Sequence, residues 1–411
     1  MWKSSRRADW RSATRTSMLL HAPRWKNWSD LPAQARPLLR MTTVIGIGLV
    51  GYGGIGRMHA LCYRMLPLVY PDLGIRVRLT GVVTASAASA ERARRELGDV
   101  LTTTNLDELL ALPSATIVDC CAPTGDHARI AEAALAAGKA LFCEKPLGAT
   151  PEESERIVDL AHARGLPGGM NFHLRFVPAL QEARRRIDNG LIGDVRSFHL
   201  RYYRSSNLRR DRAISWRFSG PGSGVLADLG SHLIDLTHYL FGPIHAVSAR
   251  TAIVIGERPG ADGAPVPVEG DDVAWLSLEL ASGGYGTVEV SKVVPGAGDD
   301  IRIEAYGSAG ALIFDTRDPN GLEIVEGAEG IGGRRIATLS RTDPAAALPA
   351  PETPVGTLQW HLASVAAFAS ALIHGATPCP ALSDGLAVDR VIGAARQSAA
   401  AGGAWLRIER R

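Results

Sequence analysis

The chain has 411 residues, more than one hydrophobic core usually supports, so we predict two domains. Its composition, 46% hydrophobic and 21% charged, is typical of a folded globular protein, and no apolar run approaches the ~20 residues of a membrane-spanning helix. The formal net charge of +3 arises in residues 1–40, which hold nine Lys or Arg and two acids, so the mildly acidic remainder offers no general attraction for nucleic acid or an anionic membrane.

Residues 1–40 precede the first strand pattern and lack apolar periodicity. We interpret them as a basic N-terminal extension, either a mis-assigned start before Met41 or a disordered tail. The five cysteines show no C-x-x-C spacing and lie mostly in apolar runs, which favours buried thiols over disulfides or a structural zinc site. We therefore expect a protein of the reducing cytoplasm.

Short apolar strands alternate with helices from Thr42 to residue 166. The predicted strands are Val44–Val50, Val77–Val83, Thr116–Cys121 and Ala140–Cys143, and the predicted helices are one from Ile55, Ala87–Leu97, Leu106–Leu110 and His127–Ala137. Fully apolar strands that alternate with helices are typical of a parallel sheet covered on both faces. Residues 41–166 are therefore predicted to form an α/β Rossmann domain with a doubly wound parallel sheet.

The pattern changes after Gly165. The predicted strands are Phe198–Tyr203, Ala246–Ile255, Ala274–Leu280, Gly284–Val290, Ile301–Tyr306 and Ala311–Phe314, and the predicted helices are Gly230–Leu240 and Leu358–Ile373. Several of these strands alternate polar and apolar residues. We predict that residues 167–411 form a C-terminal α+β domain with a large, mostly antiparallel sheet, and that the Gly- and Pro-rich residues 256–270 form a surface loop.

Three glycines, Gly51-x-Gly53-x-x-Gly56, follow the first strand and open the first helix. In this position glycines allow a tight turn, a close approach of the backbone to a pyrophosphate and close packing of helix and strand. We predict that Gly51, Gly53, Gly54, Ile55 and Gly56 bind a dinucleotide, and the alternative is a merely structural turn.

The second strand is followed by Thr84 and Ser86, where dinucleotide-binding domains usually place an acid that binds the adenosine ribose. Neutral hydroxyls remove a charge that would repel a 2′-phosphate, but only Arg57 or Arg92 is a candidate to hold that phosphate. The predicted cofactor is NAD or NADP, with a slight preference for NADP. Alternatively, both hydroxyls simply end the strand.

The last predicted strand of the first domain ends in Cys143-Glu144-Lys145-Pro146, at the sheet edge where ligands bind. Lysine is scarce in this chain, with 5 lysines against 40 arginines, so a lysine at this edge is informative. We predict a functional Glu144-Lys145 pair, and the alternative is a solvated charge pair.

Asp228, His232 and Asp235 recur at spacings of four and three, which would place them on one helical face. A histidine that a carboxylate holds in one tautomer suits proton transfer with a substrate hydroxyl. A metal site or a buried polar cluster has the same spacing. Because His238 lies six residues past His232 and points elsewhere on a helix, we expect no metal.

Several motifs together resemble the Gfo/Idh/MocA oxidoreductase family, which includes glucose-fructose oxidoreductase and inositol dehydrogenase. They are Gly51–Gly56, Glu144-Lys145-Pro146, Arg175 in Asn171–Phe176, Trp216-Arg217 and Asp228-x-Gly230-x-His232-x-x-Asp235, and the resemblance spans residues 43–405. Residues 65–77 and 214–218 resemble the layout of levoglucosan-dehydrogenase-like members, which points to a carbohydrate.

The resemblance implies an active site between the Rossmann domain and a large sheet whose open face joins a homo-oligomer, a dimer or a tetramer. It assigns Lys145 to the nicotinamide and the substrate hydroxyl, His232 to general acid/base catalysis, and Asp228 to the substrate and to tuning His232. It assigns Glu144, Pro123 and His127 to the cofactor, although Pro123–His127 is alternatively a helix cap by Thr124 or Asp126. The weaker candidates for substrate contacts are His173, Arg175, Tyr202, Arg217 and Asp235.

The predicted function is hydride transfer between NAD(P) and a secondary alcohol of a sugar, an inositol or a sugar derivative. In this hypothesis His232 takes the hydroxyl proton and Lys145 stabilises the alkoxide. Two alternatives remain open at this point. One is an NAD-dependent glycosidase of the same fold, which turns over without net NADH, and the other is a non-catalytic dinucleotide-sensing regulator.

Overall fold

The computed structural model describes residues 43–340, 344–348 and 353–409. The predicted N-terminal extension, residues 1–40, lies outside the described residues. No helix in the described ranges is long and apolar enough to cross a membrane.

The first part of the described chain forms a six-stranded parallel sheet. Its strands are β1 (Thr43–Val50), β2 (Ile75–Val83), β3 (Leu101–Thr103), β4 (Ile117–Cys120), β5 (Ala140–Cys143) and β6 (Gly168–Met170). The strand order β3-β2-β1-β4-β5-β6 is that of a doubly wound dinucleotide-binding sheet, so the predicted fold class is confirmed. β4 and β5 are buried along their whole length, and all their residues except Asp119 are apolar.

Helices connect these strands, and local sequence signals set their ends. They are α1 (Gly54–Val69), α2 (Ala87–Leu97), α3 (Leu106–Leu110), α4 (His127–Ala136) and α5 (Pro151–Arg164). Ser86, Asn105 and Thr150 cap the N-termini of α2, α3 and α5 with their side-chain oxygens. Gly165 ends α5 in the left-handed conformation, with φ of 61°.

The second part of the described chain forms a large mixed sheet. Its strands and a separate hairpin are β7 (Val195–Tyr203), β8 (Ile244–Ala252), β9 (Glu257–Pro259), β10 (Pro265–Pro267), β11 (Val273–Leu280), β12 (Tyr285–Ser291), β13 (Asp300–Gly307), β14 (Gly310–Asp315), β15 (Gly321–Glu326), β16 (Arg334–Ala337) and β17 (Leu406–Arg407). In the described ranges the sheet has the order β16-β15-β14-β13-β7-β12-β11-β8-β17, and its neighbours are antiparallel except β7 and β12. The prediction of a mostly antiparallel sheet is confirmed.

Helices cover one face of this sheet and leave aromatic residues on the other. The helices of this part are α6 (Pro178–Asp188), α7 (Ser231–Phe241), α8 (Thr357–Ile373) and α9 (Leu382–Ala400). Trp275, Tyr285 and Tyr306 lie on the open face and are between 39% and 54% exposed. α8 packs on α1, and α9 packs on both α5 and β8, so these two helices join the sheets. The division into domains at residue 166 stays a prediction, and β6 extends the first sheet beyond it.

The predicted surface loop at residues 256–270 is wrong in part, because it contains the hairpin β9–β10. Arg258 in β9 is only 1% exposed, and its guanidinium donates to the main-chain oxygens of Arg209 and Asn207, both at 2.7 Å. Composition alone does not reveal that Arg258 is buried, because the main-chain oxygens that bind its guanidinium are distant in sequence.

Candidate active site

The glycine loop lies between β1 and α1. Gly51 has φ of 98°, and a Cβ on Gly56 would lie 2.0 Å from the main-chain oxygen of Gly51. Both positions therefore require glycine. A Cβ on Gly53 or Gly54 would meet nothing within 4 Å, and Ile55 is half-buried in the first turn of α1. The turn thus leaves the N-terminus of α1 open, which fits a dinucleotide pyrophosphate.

The hydroxyls after β2 make local hydrogen bonds. Thr84 Oγ1 donates to the main-chain oxygen of Ser86 at 2.9 Å, and Ser86 caps α2. The two arginines considered for a 2′-phosphate are also engaged: Arg57 Nε lies 3.0 Å from Glu96 Oε2, and Arg92 donates to a main-chain oxygen of the glycine loop at 3.0 Å. These contacts favour the interpretation that both hydroxyls end the strand.

Lys145, Asp228 and a third residue, Lys292, form an ion cluster. Lys145 Nζ lies 2.7 Å from Asp228 Oδ1 and also donates to the main-chain oxygen of Asp228 at 2.8 Å. Lys292 Nζ donates to the other carboxylate oxygen, Asp228 Oδ2. Two ammonium groups therefore hold one carboxylate from both sides and fix the Lys145 Nζ at the carboxyl end of β5.

The electrostatics of this cluster keep Asp228 ionised. Burial opposes the ionisation of Asp228, but the charges of Lys145 and Lys292 outweigh it and hold the pKa of the carboxyl well below its usual range. Burial lowers the pKa of Lys292, and the Asp228 charge opposes that shift. At neutral pH Asp228 is therefore an anchor for ammonium groups and not a proton acceptor.

His232 lies in the first turn of α7 among other aromatic rings. The ring centroids of His173 and Tyr202 lie 5.0 and 6.3 Å from that of His232, and His361 stacks on His173 at 3.9 Å. Burial, together with the charge of Lys145, lowers the pKa of His232 to about 3. His232 is therefore neutral at neutral pH, which is the form that accepts a proton.

Asp228 and His232 do not hydrogen bond to each other, which differs from the prediction of a shared helical face. Residues Leu226–Gly230 form a π-helical turn, and α7 begins only at Ser231. The wider turn breaks the regular helical spacing between the two side chains. His232 Nδ1 is buried without a hydrogen-bond partner among the described residues, so Asp228 acts on His232 through its charge.

Glu144 belongs to a buried hydrogen-bond network, so the alternative of a solvated pair is wrong. Its Oε1 accepts a hydrogen bond from Asn171 Nδ2 at 2.6 Å and lies 3.3 Å from His59 Nε2. Burial opposes ionisation, but His59 and Lys145 outweigh it and hold the pKa of Glu144 well below its usual range. Glu144 Oε2 accepts a hydrogen bond from the main-chain N–H of Lys145 at 3.2 Å, so the network positions Lys145.

Arg175 and Asp235 bind each other. Arg175 Nε lies 2.9 Å from Asp235 Oδ2, Nη2 lies 2.5 Å from Asp235 Oδ1, and Nη2 also lies 3.2 Å from Asp384 Oδ1. Asp235 belongs to α7 and Asp384 to α9, so the buried guanidinium joins two helices. These contacts support a structural role, and substrate contact by either residue has no support in them.

His127 connects two loops of the first sheet. It is 1% exposed, and its ring nitrogens lie 2.9 Å from the main-chain oxygen of Ala122 and 2.8 Å from that of Pro146. Pro123 precedes the 3-10 turn that leads into α4, and no side chain caps that helix. The His127 ring therefore holds the loop that carries Lys145, which is a structural position beside the predicted cofactor site.

Three buried groups in the described chain bring potential metal ligands within 4.8 Å of one another. They are Cys120, His127 and Cys143; His59, Glu144 and His361; and His59, Asp119 and Cys121. Asp228 and His232 belong to none of them. His127 contacts two main-chain oxygens, and His59 lies between Asp119, at 2.8 Å, and Glu144. Hydrogen bonds thus account for these groups, and the metal-free site stays a prediction.

Tyr202 and Arg217 lie at the edge of the cluster. Tyr202 donates to Asp299 at 2.5 Å, and Arg217 Nε lies 3.9 Å from Asp228 Oδ2. Lys292 was not among the predicted site residues, although it is one of only five lysines and the same scarcity singled out Lys145. His361 gave no comparable signal, because a lone histidine in an apolar helix is usually a core residue.

Two family descriptions match the chain. "Oxidoreductase family, NAD-binding Rossmann fold" matches residues 45–172, and "Oxidoreductase family, C-terminal alpha/beta domain" matches residues 184–408. The first range contains the glycine loop and Lys145, and the second contains Asp228, His232 and Lys292.

Individual relatives are similar along most of the chain. A levoglucosan dehydrogenase of Pseudarthrobacter phenanthrenivorans is 30% identical over 377 residues, which are 87% of this chain and 96% of that protein. An inositol 2-dehydrogenase of Rhizobium meliloti is 29% identical over 285 residues, 69% of this chain and 79% of that protein. A solved levoglucosan dehydrogenase in complex with NADH and levoglucosan has a TM-score of 0.84 at 28% identity, covering 89% of this chain and 100% of that chain.

Proposed function

Because the chain belongs to the Gfo/Idh/MocA family of oxidoreductases, we propose that it oxidises a secondary hydroxyl of a sugar, an inositol or a related cyclic polyol. The proposal rests on one observation. The ammonium of Lys145 is fixed by Asp228, and its charge acts on a neutral, buried His232. The relatives named for levoglucosan and inositol support the same substrate class.

The roles of the residues follow from their charge states. A nicotinamide dinucleotide held at the glycine loop would supply the acceptor for the hydride of the substrate carbon. His232 is neutral and takes the proton of the substrate hydroxyl, while Lys145 donates a hydrogen bond to the developing alkoxide. Asp228 stays ionised and keeps Lys145 in place, so the substrate loses a hydride and a proton and becomes a ketone.

We propose NAD as the preferred cofactor, which reverses the slight preference for NADP drawn from the sequence. A 2′-phosphate needs a cation, and Arg57 is paired with Glu96 while Arg92 donates to a main-chain oxygen. The NADH complex of a related levoglucosan dehydrogenase supports the same choice.

A substrate panel tests both proposals. Levoglucosan, D-glucose, myo-inositol and scyllo-inositol are incubated with the protein and either NAD or NADP, and reduced nicotinamide is measured by absorbance. We expect at least one compound to be oxidised, with kcat/KM at least about tenfold higher for NAD than for NADP. No reduction of nicotinamide across this class of compounds would contradict the function, and a preference for NADP would contradict only the cofactor.

Replacing Lys292 with glutamine is expected to lower kcat by about tenfold, because one of two charge-assisted hydrogen bonds to Asp228 is weakened. Since cations hold the pKa of Asp228 low, losing one raises it. The acid limb of the pH–rate profile therefore moves to higher pH. The profile of Lys292→Arg, which keeps the charge, serves as the control. An unchanged acid limb in Lys292→Gln would show that Lys292 does not act through Asp228.

We propose that the open face of the second sheet joins a second copy of this chain. Trp275, Tyr285 and Tyr306 on that face are each more than a third exposed, and such aromatic patches mark protein contacts. Trp275→Glu is expected to lower the mass measured by light scattering to that of a monomer. Ile331→Glu, which changes a fully exposed residue in the turn before β16, is the matched control. A wild-type protein that is monomeric at high concentration would contradict the proposal.

A further inference from the structure

Five arginines occur between residues 204 and 217, in the segment that connects β7 to the turn preceding Asp228. Two of these guanidinium groups, and that of Arg258 outside the segment, have protein partners. Arg204 Nε lies 3.3 Å from Asp299, Arg209 Nη2 lies 2.8 Å from Asp211, and Arg258 of the adjacent hairpin donates to two main-chain oxygens. Contacts within the fold therefore use the hydrogen-bond donors of these three guanidinium groups.

Arg217 and Arg212 differ from those neighbours. Arg217 lies over the indole of Trp216, 4.1 Å from a ring centroid, and its Nε is 3.9 Å from Asp228 Oδ2, which is beyond hydrogen-bond distance. Arg212 lies 5.0 Å from the ring centroid of Phe218, and its Nη1 makes only long contacts, at 3.3 and 3.4 Å. Within the described residues, neither guanidinium has a carboxylate at hydrogen-bond distance, so both keep donors for a ligand.

The charge around Asp228 is unbalanced. Lys145 and Lys292 already occupy both oxygens of this carboxylate, and Arg217 is a third cation near it. Burial and repulsion from Arg217 lower the pKa of Arg212, which shows that Arg212 adds to the same positive field. Holding several cations close together costs free energy, and a bound anion would offset that cost.

A polar side chain beside these arginines also lacks a partner. Ser215 Oγ is buried, and it has no hydrogen-bond partner in the part of the chain that the structure describes. Ser215 lies two residues before Arg217 on the same segment, so an unused hydroxyl accompanies the unused guanidinium donors. Arginine is the side chain best suited to bind carboxylate and phosphate groups, because its planar donors match two oxygens at once.

We propose that Arg212 and Arg217 form a subsite for an anionic group, a carboxylate or a phosphate, on the sugar or polyol that this enzyme oxidises. The inference rests on the proposed function and names its substrate class more narrowly. The hydroxyl to be oxidised lies at Lys145 and His232, and the anionic group lies toward Arg212 and Arg217. The anion offsets the surplus of positive charge, so a neutral sugar binds less well than its acid or phosphate.

Matched sugars test this subsite, because D-glucose, D-glucuronate and D-glucose 6-phosphate share one ring. We expect the wild type to prefer at least one of the two anionic compounds over glucose by about tenfold in kcat/KM, and the better one identifies carboxylate or phosphate. Arg212→Gln and Arg217→Gln are expected to lower kcat/KM for that compound by about tenfold or more, and Arg212→Gln is expected to change kcat/KM for glucose by less than about threefold. Arg209→Gln, whose guanidinium is exposed and paired with Asp211, is the matched control.

Binding to the NADH-loaded protein provides a measurement that does not need turnover. We expect the anionic sugars and inorganic phosphate to raise the Tm of the wild type, and to raise it less in Arg212→Gln and Arg217→Gln. Equal stabilisation of the wild type and both variants by all three anions overturns the inference, as does a glucose preference in turnover. If no sugar is oxidised, the proposed function fails, and the anion-dependent Tm still decides the subsite.

Discussion

Replacing Lys145 with alanine is expected to lower kcat by at least about 10³-fold while leaving the affinity for NADH within about threefold of the wild type. The Lys145 ammonium is held beside Asp228 by contacts of 2.7 Å to its Oδ1 and 2.8 Å to its main-chain oxygen. Without it, the alkoxide that forms during oxidation loses the ammonium group that donates a hydrogen bond to it. The dinucleotide loop between β1 and α1 is untouched by the change.

The measurement is kcat with the best compound of the panel, together with NADH titration by fluorescence. Lys139→Ala is a matched control, because Lys139 is a lysine of the same sheet region that donates to a main-chain oxygen at 2.9 Å. We expect its kcat to stay close to that of the wild type. A Lys145→Ala protein with normal kcat would remove Lys145 from the chemistry.

Replacing His232 with asparagine is expected to lower kcat by roughly 10²- to 10⁴-fold, because general base catalysis is lost. In the wild type, burial and the charge of Lys145 lower the pKa of His232 to about 3, so the imidazole stays neutral as the pH falls through the range where an ordinary histidine becomes protonated. Oxidation by the wild type should therefore show no loss of activity from histidine protonation between neutral and mildly acidic pH.

The pH–rate profile checks this second prediction. The residual activity of His232→Asn is expected to rise with pH, since hydroxide replaces the missing base. His162→Gln, a change on the exposed side of α5, serves as the control. A wild-type profile that falls with an apparent pKa near that of free histidine would contradict the assignment of a neutral, buried His232.

The first sheet was predictable because its signals are local. An apolar strand, a glycine turn and a helix follow one another between Thr43 and Val69, and each strand end places its loop at the same edge of a parallel sheet. Lys145 could be selected from its position after β5 and from the scarcity of lysine. The alternating strands of the second sheet were likewise read from a period of two.

The contacts within the site depend on residues that are distant in sequence. Lys292 lies 64 positions from Asp228 and reaches it only because it directly follows β12. Arg175 pairs not only with Asp235 but also with Asp384, which is 209 positions away. Helical spacing implied a hydrogen bond between Asp228 and His232, which the structure does not show, and the π-helical turn before α7 is not revealed by sequence spacing.

Two rival functions make different use of the nicotinamide. A glycosidase of the same fold would oxidise and re-reduce its substrate and release a monosaccharide with no net NADH. A dinucleotide-sensing regulator would bind NAD and reduce none of it. Only a dehydrogenase transfers a substrate hydrogen permanently to the cofactor.

The most direct test is therefore to follow that hydrogen. The best compound of the panel, deuterated at its ring carbons, is incubated with NAD and the protein, and the nicotinamide product is analysed by mass spectrometry. We expect ketone and reduced nicotinamide in equal amounts, with one deuterium on each reduced nicotinamide. Reduced nicotinamide without deuterium, or substrate turnover without net reduction, would contradict it.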